Sequence, residues 1–298
     1  MNSTIPRGAR RTGRTVLGAL LAFALAATPA ASGPGPSSEE ERGDDSARPR
    51  VALVLSGGGA RGAAHVGVLR VLEEARIPVD VIVGTSMGSI VGGLYSTGMS
   101  PDELEFALVD TDWEEAFNDR PDRSHRDFRR KEDDIDFVLP YKLRLHRGDL
   151  RLPMGLKQAQ TLTNLLKTYE LWTDVPSDFD AFPILYRAVA ADLETGEAVV
   201  FDRGSLATAM RASMSIPGVF PPVEQDGRLL VDGGIVANLP VEIAQAFDPD
   251  VIIAVDISTP LEGRKTPDSY LKVIRRLGGI LTKRNVGQDK ERLGPDDI

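Results

Sequence analysis

The chain has 298 residues, of which 42% are hydrophobic and 27% charged, so it is long enough to bury one large core or two modest ones. Its formal net charge of −9 at pH 7 disfavours nucleic acid as a partner, because a phosphate backbone repels an acidic surface. The chain contains no cysteine, which excludes disulfides and lipid attachment through a thiol.

The N-terminal residues are typical of an export signal. Arginines within Arg7–Arg14 precede the apolar run Val16–Ala27, and small residues suited to cleavage follow as far as Ser32. A run of about twelve apolar residues is too short to span a bilayer, although an uncleaved anchor is the alternative. We expect a signal peptide over residues 1–32, export to a bacterial periplasm, outer-membrane surface or medium, and a disordered linker over residues 33–49.

The first predicted strand leads into a glycine-rich turn. Val51–Leu55 reads as a short buried strand, Gly57–Gly62 as the turn, and Ala63–Arg76 as a helix. Successive glycines expose backbone N–H groups, which an acyl-transfer enzyme needs to hold the oxyanion of a tetrahedral intermediate. A dinucleotide site is the competing interpretation of this G-x-G-x-x-G pattern, but no acidic residue ends the second strand. A phosphate-binding P-loop would need lysine where Ala63 stands.

A serine follows the second predicted strand in a setting typical of a nucleophile. Ser86 occupies the centre of Gly84–Gly88, a G-x-S-x-G pattern between the apolar run Val79–Val83 and the helical stretch Ser89–Ser96. Glycines on both sides let the chain turn sharply, and the following helix directs its first N–H groups at an anion formed there. A tight turn without a catalytic role is the alternative.

The sequence offers no histidine in the position that a Ser–acid–His order requires. His65 falls inside the first helix, where a packing role is favoured, and His125 and His146 fall in a charged middle segment. Asp232 ends a predicted strand and is followed by Gly233 and Gly234, a pattern that in most chains is simply a turn. To act on the serine, its carboxylate must be partly desolvated and within hydrogen-bond reach.

The three motifs together resemble those of the patatin-like phospholipases. Gly57–Gly62, Gly84–Gly88 and Asp232–Gly234 occur in the order of that family, over about residues 50 to 260. Asp192–Gly196 and Ser213–Pro222 resemble segments that bacterial members carry between the serine and the aspartate. The resemblance implies a Ser–Asp dyad without histidine, an oxyanion hole in the glycine loop, and phospholipids or related lipid esters as substrates.

The resemblance also implies roles for single residues. Ser86 is expected to be the nucleophile and Asp232 the general base. The expected oxyanion loop contributes Gly57, Gly58, Gly59, Arg61 and Gly62. The expected nucleophile turn contributes Gly84, Thr85, Met87 and Gly88, and the aspartate motif contributes Gly233 and Gly234. For Arg61, a structural ion pair that braces the turn stands beside contact with an anionic headgroup.

No cofactor and no metal are implied, because acidic residues and histidines do not cluster at ligand spacing. The expected partners are a lipid ester and the membrane surface that holds it. Two alternatives stay open: action on other acyl esters, such as lysophospholipids or thioesters, and a non-catalytic module that binds lipid or the cell envelope.

Alternating strands and helices predict an α/β fold with a mainly parallel central sheet between helical layers. The resemblance implies that this fold is a patatin-like three-layer sandwich. Further strands are expected over Ile184–Ala191, Ala198–Phe201 and Val251–Asp256. Residues 99–180 interrupt the alternation with a helix beginning at Ser100 and a hairpin around Arg147–Asp149, so this segment is expected to cap the site.

Boundaries and loops near the predicted site complete the expectations. The catalytic domain is expected over residues 50–262, and residues 263–298 as a helical tail, or as a connection in a fragment of a longer protein. Helix is expected there only over Asp268–Thr282. Asn238 is expected to cap a helix, and Ser213–Pro222 to form a wall of the substrate pocket.

Overall fold

The parallel strands form from short apolar runs that are buried on both sides. A computed structural model describes residues 48–117, 144–146, 149–151, 159–258 and 269–298. The strands are β1 (Val51–Leu55), β2 (Val81–Thr85), β3 (Arg144–His146), β4 (Asp149–Arg151), β5 (Leu185–Asp192), β6 (Ala198–Phe201), β7 (Val223–Gln225), β8 (Arg228–Asp232) and β9 (Val251–Val255). All five residues of β1 and of β2 are buried, as expected of strands covered on both faces.

Helices follow the strands and supply the outer layers. They are α1 (Ala63–Glu74), α2 (Met87–Ser96), α3 (Pro101–Val109), α4 (Trp113–Ala116), α5 (Gln160–Thr173), α6 (Leu206–Ser213), α7 (Val241–Gln245) and α8 (Tyr270–Glu291). Short 3₁₀ turns cover Gly59–Gly62, Phe179–Ala181 and Gly233–Ile235. Among the residues described, no helix is both long enough and apolar enough to cross a membrane.

Four parallel strands in the order β9-β1-β2-β5 make the centre of the sheet, which confirms the predicted α/β fold. Strand β6 runs antiparallel along one edge of β5. The residues of β5 that pair with β6 on one side pair with β2 or β8 on the other. Strands β2 and β8 therefore lie along the same edge of β5, opposite β6. They approach one another from opposite directions: Thr85 at the end of β2 pairs with Val189, and Asp232 at the end of β8 pairs with Ala190.

Successive side chains along the central strands point to opposite faces of the sheet and so contribute to two separate hydrophobic cores. Leu53 and Ile82 point into the larger one, which α1, α2, α3, α5 and α6 cover. Their neighbours Ala52 and Val81 point to the opposite face, where residues of α7 and Val286 of α8 pack. The chain therefore has the helical layers on both faces that the strand–helix alternation predicted.

Parts of the predicted cap belong to the larger core instead. Leu104 of α3 and Leu162 and Leu166 of α5 are fully buried in it, because both helices are amphipathic and lie over the sheet. The hairpin predicted around Arg147–Asp149 is present as the antiparallel pair β3 and β4. The other residues between α4 and α5 lie outside the described part of the chain, so a cap over the site stays a prediction.

The C-terminal segment differs from its prediction. Helix α8 continues to Glu291, well past the expected end at Thr282, and its second half packs on the sheet through Val286. Residues 46–298 form one compact unit, and the boundary expected between residues 262 and 263 stays a prediction. The last residue closes the edge of the sheet, since the Ile298 amide donates to Ile252 and its carbonyl accepts from Ala254.

Candidate active site

Ser86 lies on a strained turn between β2 and α2. Its φ of 54° and ψ of −120° are unusual for a residue with a side chain, and such conformations cost on the order of 1–3 kcal/mol. Hydrogen bonds hold the turn: the Ser86 amide donates to Ser213 Oγ at 2.8 Å, and the Ser86 carbonyl accepts from the Ser89 hydroxyl at 2.6 Å. Strain that is fixed in this way places Oγ where the sequence predicted a nucleophile.

The flanking glycines are required because the turn is pressed against neighbouring backbone. A Cβ added to Gly84 would lie 2.4 Å from the Gly88 carbonyl oxygen, and one on Gly88 would lie 2.2 Å from that of Leu55. Thr85 binds the turn to another part of the site, since its hydroxyl donates to the Ala237 carbonyl at 2.8 Å. The turn is therefore held by close packing against the end of β1.

The side chains of Ser86 and Asp232 are in direct contact. Ser86 Oγ donates to Asp232 Oδ2 at 2.8 Å, across 146 residues of sequence. The topology explains the contact, because β2 and β8 end at adjacent residues along the same edge of β5. The two side chains expected to be nucleophile and base are thus within hydrogen-bond distance of each other.

Burial tunes the carboxylate toward the function of a base. Asp232 is 7% exposed, and desolvation raises its pKa to about 6, against opposing hydrogen bonds from the Gly234 amide and from Ser86. The Gly234 amide donates to Asp232 Oδ1 at 2.7 Å, which leaves Oδ2 for the serine. A pKa closer to neutrality makes a carboxylate a stronger base toward a hydroxyl than a solvated aspartate would be.

The glycine loop lies beside the serine. A Cβ on Gly57 would be 3.0 Å from the Cβ of Ser86 and 2.6 Å from Asn238 Oδ1, so a side chain has no room there. Gly57 was expected to supply an oxyanion donor, but its amide donates to the Asn238 carbonyl at 3.2 Å. Within the described residues, the amides of Gly58 and Gly59 donate no hydrogen bond, so they are the available donors.

The other predicted loop residues have different surroundings. Gly62 is buried where a Cβ would meet Cγ of Met87, so it provides packing space for the first residue of α2. Arg61 is exposed in the 3₁₀ turn, and its two expected roles stay predictions. Gly233 allows the aspartate turn to approach β5, since a Cβ there would lie 2.3 Å from the Val189 carbonyl oxygen.

His65 is a buried packing residue, as expected. It is fully buried, its Nε2 lies 2.9 Å from the Ser56 carbonyl oxygen, and burial lowers its pKa. A neutral imidazole in this position supports the start of the glycine loop. Among the residues described, no histidine contacts Ser86, and no group of acidic residues and histidines could hold a metal ion.

A match to a family model decides the identity of this arrangement. The model of the patatin-like phospholipases matches residues 53–245, which include both side chains of the dyad and the glycine loop. The chain belongs to the patatin-like phospholipase family.

Relatives support the same assignment. An uncharacterized NTE family protein of Mycobacterium tuberculosis is 36% identical over 227 residues, which are 76% of this chain and 53% of that protein. Patatin-like phospholipase domain-containing protein 6 of Homo sapiens is 33% identical over 211 residues, 70% of this chain and 13% of that one. The chain thus spans about half the length of its mycobacterial relatives. The solved structure of VipD from Legionella pneumophila is 14% identical with a TM-score of 0.41, covering 64% of this chain and 47% of that one.

One residue that the sequence assigned to a helix cap instead joins the two halves of this patatin-like site. Helix α7 begins after Pro240 without a side-chain cap, so the expected role of Asn238 is wrong. Asn238 is buried, and its Nδ2 donates to the Gly57 carbonyl at 3.2 Å while its own carbonyl accepts from the Gly57 amide. Because a trans peptide is planar, a Gly57 carbonyl held toward Asn238 directs the Gly58 N–H to the opposite side.

Helix α8 supports the same segment from the second face of the sheet. Asn285 Oδ1 accepts from the Asn238 amide at 3.2 Å, and Asn285 Nδ2 donates to the Gly234 carbonyl at 3.0 Å. The hydroxyl of Thr282 donates to the same carbonyl at 3.0 Å. Sequence analysis missed these residues because they lie outside the three motifs, in a segment expected to be a separate tail.

The segment expected as a pocket wall contacts the backbone of both Ser86 and Asp232. Ser213 Oγ accepts from the Ser86 amide and donates to the Val189 carbonyl at 2.5 Å. Two residues on, the Ser215 carbonyl accepts from the Asp232 amide at 3.0 Å. These residues hold the backbone of Ser86 and of Asp232 in place, and their role as a wall stays a prediction.

Proposed function

We propose that this chain is a serine hydrolase of lipid acyl esters, of the phospholipase A type, that acts through Ser86 and Asp232. The observation that carries the proposal is the 2.8 Å hydrogen bond from Ser86 Oγ to a buried carboxylate whose pKa is raised to about 6. The family model supports the substrate class, since its members are described as patatin-like phospholipases.

The proposed reaction has two halves, acylation of Ser86 and hydrolysis of the acyl-serine, and Asp232 transfers a proton in both. As Ser86 Oγ attacks the ester carbonyl, its proton moves to Asp232, and the carbonyl oxygen becomes an oxyanion that accepts from the amides of Gly58 and Gly59. Asp232 then gives the proton to the departing alcohol, which leaves an acyl-serine. A water molecule, deprotonated by Asp232, attacks the acyl-serine, and the fatty acid departs as Ser86 regains its proton.

The export signal and the membrane surface belong to the same proposal. Residues 1–32 carry the pattern of a secretory signal, and lipid esters in a bilayer are the substrates within reach of an exported hydrolase. Other acyl esters would use the same dyad, so only the released products identify the substrate.

The test is to incubate the purified chain with defined phospholipid vesicles and to identify the products by mass spectrometry. We expect free fatty acid and lysolipid from the unsubstituted chain, and a loss of at least a thousandfold in rate in Ser86→Ala and in Asp232→Asn. Glu224→Gln, an exposed carboxylate on β7, is the matched control and should keep the full rate. Full hydrolysis by Ser86→Ala, or no labelling of Ser86 by a fluorophosphonate, would contradict the proposal.

A further inference from the structure

The first half of helix α8 carries an apolar stripe that faces solvent. Val273, Leu277, Ile280 and Leu281 are between 41% and 52% exposed, although they recur at helical spacing along one side. None of the residues 272–284 is buried, in contrast to the second half, where Asn285, Val286 and Asp289 are. This half of the helix therefore does not use its apolar side chains to pack against the described part of the domain.

The orientation of the helix directs the stripe outward. Thr282 binds the Gly234 carbonyl, so its side of the helix faces the domain. At about 100° per residue, Ile280 lies roughly opposite Thr282, and Leu277 and Val273 continue the same side. The stripe thus points away from the domain on the helix that supports the aspartate turn.

The charge around the stripe is the reverse of that of the chain. Residues 269–288 contain five Lys and Arg and no Asp or Glu, whereas the whole chain has a net charge of −9. Arg275, Lys283 and Arg284 are exposed, and Lys283 and Arg284 lie two and three residues after Leu281, the last apolar residue of the stripe. An apolar face bordered by basic side chains is the pattern of a helix that lies in the interface of an anionic membrane.

We propose that residues 272–284, the first half of α8, form the surface by which this chain binds a bilayer rich in anionic phospholipid. The stripe would enter the boundary between headgroups and acyl chains, and the basic side chains would meet the lipid phosphates. The proposal rests on the proposed function, because a hydrolase of lipid esters must reach a lipid surface. It also goes beyond that function, since neither the dyad nor the glycine loop is part of this surface.

The first experiment measures binding without hydrolysis. Ser86→Ala protein is sedimented with vesicles of phosphatidylcholine alone, or with about one third phosphatidylglycerol. We expect binding to the anionic vesicles that weakens as NaCl rises from about 0.1 M to about 0.5 M. Adding Lys283→Gln with Arg284→Gln should lower the partition coefficient about tenfold or more, and Leu277→Ser with Ile280→Ser should do the same.

The matched control removes two apolar side chains that are more exposed than those of the stripe and lie elsewhere on the domain. Val109→Ser with Leu171→Ser changes α3 and α5, where these residues are 74% and 79% exposed, and should leave binding unchanged. All the substituted residues are exposed, so thermal unfolding midpoints should stay equal among the variants. Anionic vesicle binding that is unaffected by the α8 substitutions, or equally reduced by the control pair, would overturn the proposal.

The second experiment separates this proposal from the proposed function. In the chain with Ser86 intact, the α8 substitutions should slow hydrolysis of anionic vesicles about tenfold while leaving turnover of a soluble short-chain ester unchanged. A chain that binds vesicles through α8 but cleaves no ester contradicts the proposed function and supports this surface. A change of oligomeric state in the α8 variants by analytical ultracentrifugation, with vesicle binding intact, would assign the stripe to a second copy of the chain and overturn the membrane proposal.

Discussion

At the scale of single residues, the pKa of Asp232 sets the pH range in which the proposed Ser86–Asp232 dyad is active. A base must be deprotonated, and burial raises the pKa of this carboxyl to about 6, so activity is lost as pH falls through that value. We expect kcat/KM for a soluble ester to fall on the acid side with an apparent pKa of about 6, measured from pH 4 to pH 9 where the chain stays folded.

A second buried carboxylate provides the control for this pH dependence. The pKa of Asp289 is also raised to about 6, mainly by burial, but its side chain lies on α8 and does not contact Ser86. Asp289→Asn should therefore keep the acid limb in place. An acid limb near pH 4 in the unsubstituted chain would show that the base is solvated. A shift of the limb in Asp289→Asn would show that the limb reports the titration of Asp289 and not that of Asp232.

The side chain of Asn238 controls the orientation of one peptide group in the glycine loop. Asn238→Asp keeps the size of the side chain but replaces the donor to the Gly57 carbonyl by an oxygen that repels it. The Gly58 amide then loses its fixed direction, so we expect kcat to fall between about tenfold and a thousandfold. KM should stay within about threefold. The new carboxylate lies near Asp232, since a Cβ on Gly234 would be 2.8 Å from Asn238 Oδ1 and 3.0 Å from Asp232 Oδ1, so the acid limb of Asn238→Asp should move to higher pH.

Two comparisons make the Asn238 prediction specific. Asn164→Asp makes the same change at an exposed position on α5 and should keep kcat. Asn238→Ala removes the donor without adding a charge and should give a similar loss of kcat. If KM rose in parallel with the fall in kcat, or if the pH profile of Asn238→Ala moved, the substitution would be acting through general disorder of the site.

At the scale of elements, the junction of β2 and α2 depends on the absence of a side chain at Gly88. A Cβ there would lie 2.2 Å from the Leu55 carbonyl oxygen, which belongs to backbone that cannot yield easily. Gly88→Ala should therefore lower the free energy of unfolding by about 1–3 kcal/mol, measured by urea denaturation. Gly67→Ala is the control within a helix, because nothing lies within 4 Å of its added Cβ. Alanine reduces the backbone freedom of the unfolded chain, so this substitution should raise the free energy of unfolding by up to about 1 kcal/mol.

The elements that sequence analysis predicted well are those with a local cause. Buried apolar runs identified β1 and β2, and Ser100 with Glu103 formed the expected capping box at the start of α3. Helix α8 was predicted too short because its second half is stabilised by contacts that are distant in sequence. Its polar residues there, Asn285 among them, have hydrogen-bond partners that no local pattern reveals.

The same distinction applies to the site. Ser86 and Asp232 were predictable because each lies in a short motif with its own backbone demands. Their contact could be anticipated only through the resemblance to a family, since it depends on β2 and β8 meeting along one edge of β5. The roles of Asn238 and Asn285 depend on the same long-range arrangement, and no motif marked them.

At the scale of the whole molecule, residues 297 and 298 bind the edge of the sheet that carries the site. Asp297 Oδ1 accepts from the Ile252 amide at 2.7 Å, and its Oδ2 accepts from the Gly294 amide at 2.8 Å, which holds the last residues against the edge strand β9. Asp297→Ala would leave a partly buried strand amide without this partner, so we expect the free energy of unfolding to fall by about 1–3 kcal/mol in urea. Asp296→Ala, at the exposed neighbouring position, should change it by less than about 0.5 kcal/mol. Equal stability of the two variants would mean that the hydrogen bonds of the Asp297 side chain contribute nothing to the fold, because Asp297→Ala leaves the backbone hydrogen bonds between Ile298 and β9 in place.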